Sequence, residues 1–115
     1  MRDEKIKVIQ YIRELLVAID KEMDNFPKKD IELKNRIRVN SFDLLEIAYE
    51  ANSISDVEKK KCLLQKSFAK IKVIDFLLNM SYDKHIITEK KYIKFGNKTD
   101  DIVKYISGWL KKMQE

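Results

Sequence analysis

Apolar residues recur along the chain at the spacing of one face of an α-helix, and they do so in four separate segments. The first segment is predicted to run from about Asp3 to Asp24. Its apolar positions fall at intervals of four, three, four and four residues, in a stripe of Val8, Ile12, Leu15, Ile19 and Met23. Ile6, Ile9 and Leu16 widen this stripe, so the pattern predicts an amphipathic helix with apolar surface to spare.

The second segment is predicted to run from Asp30, as its N-cap, to about Asn52. Pro27 separates it from the first, because the residue before a proline is driven out of the α-helical region. Its stripe keeps a regular spacing of four and three residues through Leu33, Ile37, Asn40, Leu44, Ile47 and Ala51. Asn40 is the one polar member. It either fixes the helix register or oligomeric state, or it bonds to a neighbouring helix or a trapped water.

The third segment is predicted to run from about Asp56 to Met80, after a capping box of Ser55 and Glu58. Its stripe comprises Val57, Leu64, Phe68, Ile71, Ile74 and Leu78. Cys62 lies beside two leucines, which favours a buried, apolar role for its side chain.

The fourth segment has two possible starts. Thr88 can cap one helix, but Gly96 interrupts the segment, and Thr99 followed by Asp100 and Asp101 resembles a second start. The segment is therefore either one long helix weakened at the glycine or a short helix followed by a longer one. In both cases the final stripe is Ile102, Ile106, Trp109 and Met113, and its spacing favours a core or interface position for the tryptophan.

Four amphipathic helices with short connections predict an all-α protein, an antiparallel up-down-up-down four-helix bundle. The chain has 115 residues, which fits one domain spanning 1–115. It contains only two glycines and one proline, too few for the many tight turns of a sandwich or barrel.

The charge of the chain is unevenly distributed. The net charge is +5, and residues 54–81 and 82–115 each carry +3, whereas residues 1–25 carry −1 and residues 26–53 carry none. Neighbouring third and fourth helices could merge their lysines into one surface that attracts phosphates. The alternative is an ordinary solvated face. The predicted nucleic-acid-binding residues are Lys59, Lys60, Lys61, Lys66, Lys70, Lys72, Lys104, Lys111 and Lys112.

Residues with catalytic or metal-binding chemistry are sparse. His85 is the only histidine, which excludes classical zinc sites and two-histidine iron sites within one chain. No arginine precedes it at the spacing found in small helical ribonucleases, and both glycines are isolated, so no phosphate-binding loop is present. We therefore expect no enzymatic activity, no metal and no cofactor.

Cellular location is predicted from the cysteine and from the apolar runs. Cys62 is the only cysteine, so no internal disulfide can form, and no signal peptide is evident. The longest apolar run, Leu15–Ile19, is far shorter than the ~20 residues of a membrane span. These features predict a cytoplasmic protein without a membrane partner.

Four short motifs follow one another in an order that resembles a known bacterial family. They are Asn25-Phe26-Pro27-Lys28, Glu50-Ala51-Asn52, Lys59 to Lys61, and Ile106-Ser107-Gly108-Trp109-Leu110. This order and spacing are similar to those of the four-helix-bundle family that includes the accessory variability determinant (Avd) of diversity-generating retroelements. The same family includes proteins encoded in intervening sequences of large-subunit ribosomal RNA genes.

The resemblance implies a bundle that assembles into a homopentameric barrel. In the retroelement members it also implies a basic surface, binding of RNA or DNA, association with a reverse transcriptase, and no catalytic residues. An intervening-sequence relative could instead be a structural or protein-partner module without a nucleic-acid role. Both readings stay open at this point.

Overall fold

The computed structural model describes residues 2–113, with side chains described for residues 5–113, and within that part it contains four α-helices and no strand. The helices are α1 (Arg2–Asp20), α2 (Ile31–Ser53), α3 (Val57–Asp83) and α4 (Glu89–Met113). Two short 3₁₀ turns, Met23–Asn25 and Lys28–Asp30, connect α1 to α2. The molecule is elongated, 46 × 23 × 18 Å. The predicted all-α four-helix class is confirmed.

The predicted stripes supply the core. All five stripe residues of α1 are buried, as are Leu33, Ile37, Leu44, Ile47 and Ala51 of α2 and Ile102, Ile106 and Trp109 of α4. The α3 stripe differs at its first member, because Val57 opens the helix and is 46% exposed. Phe68 and Met113 are partly buried at the edge of the core. Burial of these apolar side chains is the main force that holds the helices together.

The α1 helix ends four residues earlier than predicted, at Asp20 rather than Asp24. The backbone then tightens into a 3₁₀ turn, in which the amide of Glu22 donates to the carbonyl of Ile19 at 2.9 Å. Met23 nevertheless stays buried, so the buried apolar stripe continues beyond the end of the α1 helix.

The predicted cap of α3 is wrong, and that of α2 is right in position only. The α3 helix begins at Val57, so its N-cap is Asp56, whose carboxylate accepts the amides of Glu58 and Lys59 at 3.0 and 3.2 Å. The Asp56 carboxylate, which accepts both hydrogen bonds, thus takes the place of the predicted Ser55–Glu58 capping box. Asp30 lies at the N-cap position of α2 but makes no capping bond. Its carboxylate instead pairs with Lys84 Nζ at 3.1 Å. A hydrogen bond from a charged ammonium group is stronger than one from a neutral backbone amide.

The α4 helix is continuous, which settles the choice between one helix and two. Thr88 caps it as predicted, since its hydroxyl accepts the Lys91 amide at 3.2 Å. The predicted second cap, Thr99, is wrong because this residue is buried mid-helix and donates to the carbonyl of Gly96 at 3.0 Å. A methyl group at Gly96 would meet nothing within 4 Å. The glycine therefore costs about 1 kcal/mol of helix propensity without breaking the helix.

The remaining predictions concern two polar residues. Asn40 follows the second alternative: its Nδ2 donates to the carbonyl of Arg36 at 2.8 Å, and Lys70 Nζ from α3 donates to its Oδ1 at 3.3 Å. Cys62 is exposed rather than buried. Adjacent leucines misled the prediction, because neighbours in a helix sequence point about 100° apart.

The order of the helices around the bundle follows from their contacts. α1 packs on α2 and α4, and α3 packs on α2 and α4. α1 and α4 run antiparallel, because Tyr11 meets Tyr105 while Glu14 pairs with Lys98 further along. The connection between α2 and α3 has three residues and that between α3 and α4 has five, lengths that favour antiparallel neighbours. None of the described helices is long and apolar enough to cross a membrane.

Candidate nucleic-acid interface

The two ends of the bundle carry their charges differently. One end joins the start of α1, the start of α3 and the last turn of α4, since Lys5 lies against Lys60 and 5.9 Å from the centre of the Trp109 ring. We call it the basic end, defined by Lys5, Lys7, Lys59, Lys60, Lys104, Lys111 and Lys112. The opposite end holds the α1–α2 connection against α3 and α4. We call it the clamped end, defined by Glu22, Asp30, Lys84 and Lys91.

Lysines at the clamped end neutralise buried carboxylates. Glu22 is only 6% exposed, and it accepts from Lys91 Nζ at 2.8 Å and from Asn25 Nδ2 at 2.9 Å. Asp30 is also buried and pairs with Lys84. Because a buried carboxylate is costly unless it is paired, these two lysines serve the fold.

Lysines at the basic end have a different setting. Among the described side chains, no carboxylate lies within 4.0 Å of the ammonium groups of Lys59, Lys60 or Lys104. Burial lowers the pKa of Lys60, and the neighbouring Lys5 lowers it further. Two neighbouring ammonium groups repel each other, and a bound anion would reduce this repulsion.

The α3 helix start adds to this effect. Lys59, Lys60 and Lys61 occupy the first two turns of α3, at the positive end of the helix dipole. Cations there oppose the dipole, and a phosphate would be favoured. Asp56 and Glu58 offset part of the charge. Asp56 is bonded to the helix amides, and Glu58 lies 3.8 Å from Lys61.

The nine predicted site lysines fall into two groups. Lys59, Lys60, Lys104, Lys111 and Lys112 belong to the basic end. Lys61, Lys66, Lys70 and Lys72 extend along α3, and Lys70 is bonded to Asp43 at 3.0 Å across the α2–α3 seam. Their part in binding stays a prediction. The structure adds Lys5 and Lys7, which the sequence gave no means to find because their own helix is net acidic.

Two tyrosines lie along the seam between α1 and α4, beside Lys7 and Lys104. The rings of Tyr11 and Tyr105 meet edge to face, with centres 5.2 Å apart and planes at 67°. Lys7 Nζ lies 5.8 Å from the centre of the Tyr11 ring, and Lys104 Nζ lies 5.9 Å from that of Tyr105. Trp109 is fully buried, as predicted, so a base cannot stack on it.

The residues best suited to metal binding or to a thiol–imidazole pair lie apart in the described part of the chain. Residues 5–113 contain no group of three His, Cys, Asp or Glu side chains able to hold a metal ion. Cys62 lies in the second turn of α3 and His85 just beyond its end, so at ~1.5 Å per residue they stand roughly 30 Å apart. They cannot form a thiol–imidazole pair within one chain.

Large apolar side chains remain exposed on two faces. Phe42 is 57% exposed beside a groove between α1 and α2, which Leu16, Val17 and Arg38 also line. Phe76 is 63% exposed on α3, one turn after the exposed Val73. Exposed aromatic side chains of this size are candidates for protein contacts.

No family model matches the chain, and no curated protein or solved structure does either. The family resemblance drawn from the sequence motifs therefore stays a prediction.

Proposed function

We propose that this protein is a non-enzymatic nucleic-acid-binding accessory protein that self-associates and holds RNA or DNA at its basic end. The observation that carries the proposal is the contrast between lysines paired with buried carboxylates at one end and lysines clustered without described carboxylate partners at the other. Such a cluster gains free energy by replacing the condensed counterions of a phosphate backbone.

Binding of this kind is independent of base sequence. All seven residues of the basic end are lysines, which act as point charges and lack the bidentate geometry with which arginine reads a guanine. We expect a strong salt dependence and little discrimination between sequences.

Self-association would bring several basic ends together. The exposed Phe42 and Phe76 faces supply apolar area for contacts between copies, and repeated weak sites gain affinity through avidity. By resemblance to the Avd family we propose a homopentamer and, as a further partner, a reverse transcriptase. Light scattering of the wild type against Phe42→Asp tests the first point. We expect a larger particle for the wild type, and a wild-type monomer would contradict it.

Two matched triple variants test nucleic-acid binding. Lys59→Glu, Lys104→Glu and Lys111→Glu reverse exposed charges at the basic end, and Lys28→Glu, Lys29→Glu and Lys90→Glu reverse as many exposed charges at the clamped end. Net charge changes equally in both. Fluorescence anisotropy with a labelled RNA oligomer should show weaker binding and a shallower salt slope for the first triple only. Equal losses in both would contradict the proposal.

A second candidate function is a helical module that binds another protein and no nucleic acid. The exposure of Phe42 and Phe76 favours it, since both rings would be covered by an apolar partner. This alternative predicts association that is insensitive to salt and no retention on RNA at physiological ionic strength.

A further inference from the structure

The surface between the middle of α1 and the C-terminal half of α4 combines rings and charges in one array. Lys7, Tyr11, Tyr105 and Lys104 follow one another, with a ring-to-ring distance of 5.2 Å and lysine-to-ring distances of 5.8 and 5.9 Å. Both tyrosines are partly buried, and the ammonium groups of Lys7 and Lys104 lie over their rings, so these mobile side chains would move aside when a base stacks. Two lysines thus flank two aromatic rings held by different helices.

The tyrosine hydroxyl of this array stays neutral at physiological pH. Lys7 lowers the pKa of Tyr11, but lost solvation, Tyr105 and Asp101 together raise it above its ordinary value. A neutral ring does not repel a phosphate, and the two ammonium groups attract one. The array therefore offers one surface for a base and flanking charges for the backbone on either side.

Duplexes and single strands would use this surface differently. In a duplex the faces of the bases are covered by their neighbours, and only phosphates can reach the lysines. In a single strand the base faces are accessible and can stack on an aromatic ring, whatever the base.

We infer that Tyr11 and Tyr105 form a stacking platform for unpaired bases, with Lys7 and Lys104 holding the flanking phosphates, so that the protein prefers single-stranded to double-stranded nucleic acid. The inference rests on the proposed function and names its substrate class.

The test compares a labelled oligothymidylate, which has no internal pairing, with a blunt duplex of the same length. The Tyr11→Leu/Tyr105→Leu double variant should lose about tenfold in affinity for oligothymidylate and little for the duplex. The Tyr11→Phe/Tyr105→Phe variant keeps both rings and should bind like the wild type. Salt slopes should be unchanged in both variants, because no phosphate contact is removed.

A measurement on the unaltered protein accompanies the variants. Irradiation of a bromouracil-containing oligothymidylate bound to the wild type should give adducts at Tyr11 or Tyr105, located by mass spectrometry. Equal losses for both polymers in the leucine variant, or adducts only elsewhere, would overturn the inference and leave the proposed function standing. Failure of the wild type to bind either polymer would overturn both.

Discussion

The two ends of this bundle are built from the same residue type and use it for opposite purposes. At the clamped end Lys84 and Lys91 each pair with a buried carboxylate, which neutralises their charge within the molecule. At the basic end the positive charge of Lys5 lies close enough to Lys60 to lower its pKa. The first arrangement leaves neither buried carboxylate unpaired. The second places like charges close together, which opposes folding, and a bound anion would offset that cost.

The difference shows that the number of lysines says little about binding until the positions of the carboxylates that pair with them are known. Lys70, Lys84, Lys91 and Lys98 all belong to the half of the chain that carries the positive excess, yet each pairs with a carboxylate from the first half. Pairing across the bundle thus neutralises these four lysines at the seams, and the lysines left without a described partner include Lys59, Lys60 and Lys104 of the basic end.

Breaking the clamp should have the largest effect on stability. Glu22→Ala removes the 2.8 Å ion pair with Lys91 and the hydrogen bond from Asn25, both at a buried carboxylate. We expect the free energy of unfolding to fall by about 2 kcal/mol, measured by urea denaturation.

Glu14→Ala is the matched control for this change. Glu14 lies in α1, a short distance before Glu22 in the chain, but its pair with Lys98 is 3.9 Å long and its side chain is 46% exposed. Its loss should cost less than about 0.5 kcal/mol. A similar cost for both variants would mean that the clamp contributes no more than an ordinary surface pair.

A smaller effect is expected from backbone strain next to the clamp. His85 has a φ of 62° just after α3, where its amide donates to Tyr82 and the Ile86 amide donates to Ser81. This C-terminal motif normally has glycine at the left-handed position. His85→Gly should raise the free energy of unfolding by about 1 kcal/mol. His85→Ala keeps the strain, so an equal gain in the alanine variant would refute this reason.

The smallest stability effect, and the one that separates the ends most sharply, concerns Lys60. Its pKa is lowered by burial and by Lys5, so the folded state loses this proton at a lower pH than the unfolded state. The free energy of unfolding therefore rises as the pH increases from the lowered pKa to the ordinary value.

Lys60→Met should remove that alkaline rise, leave the protein slightly more stable at neutral pH, and weaken RNA binding. Denaturation at several pH values and anisotropy together check this prediction. A variant that is both less stable and unchanged in binding would place Lys60 with the clamp lysines instead.

Periodicity was sufficient to predict the helices and their buried faces, because side chains at the stripe positions had no other core to enter. The ends of the helices were harder to predict. Ser55 and Asp56 can both cap a helix, and the choice depends on where the backbone first turns, which packing decides. Thr99 matched a cap pattern equally well, but the apolar face of α4 continues through it and keeps the helix intact.

The candidate site was predictable only in part. Lys59, Lys60, Lys104, Lys111 and Lys112 follow from the uneven charge of the sequence. Lys5 and Lys7 do not, because their helix is net acidic and only the packing of α1 between α2 and α4 brings them there. The contact between Tyr11 and Tyr105 was not predictable from the sequence either. The two ring centres are 5.2 Å apart in the structure, but the two residues are separated by most of the length of the chain.

The most direct test of the central claim is a lysine-reactivity footprint. The wild-type protein is acylated with and without a single-stranded RNA oligomer, and the rate at each lysine is read by mass spectrometry. We predict protection of Lys59, Lys104 and Lys111 and unchanged rates at Lys28, Lys29 and Lys90. Protection spread evenly over both ends, or confined to the clamped end, would contradict the account.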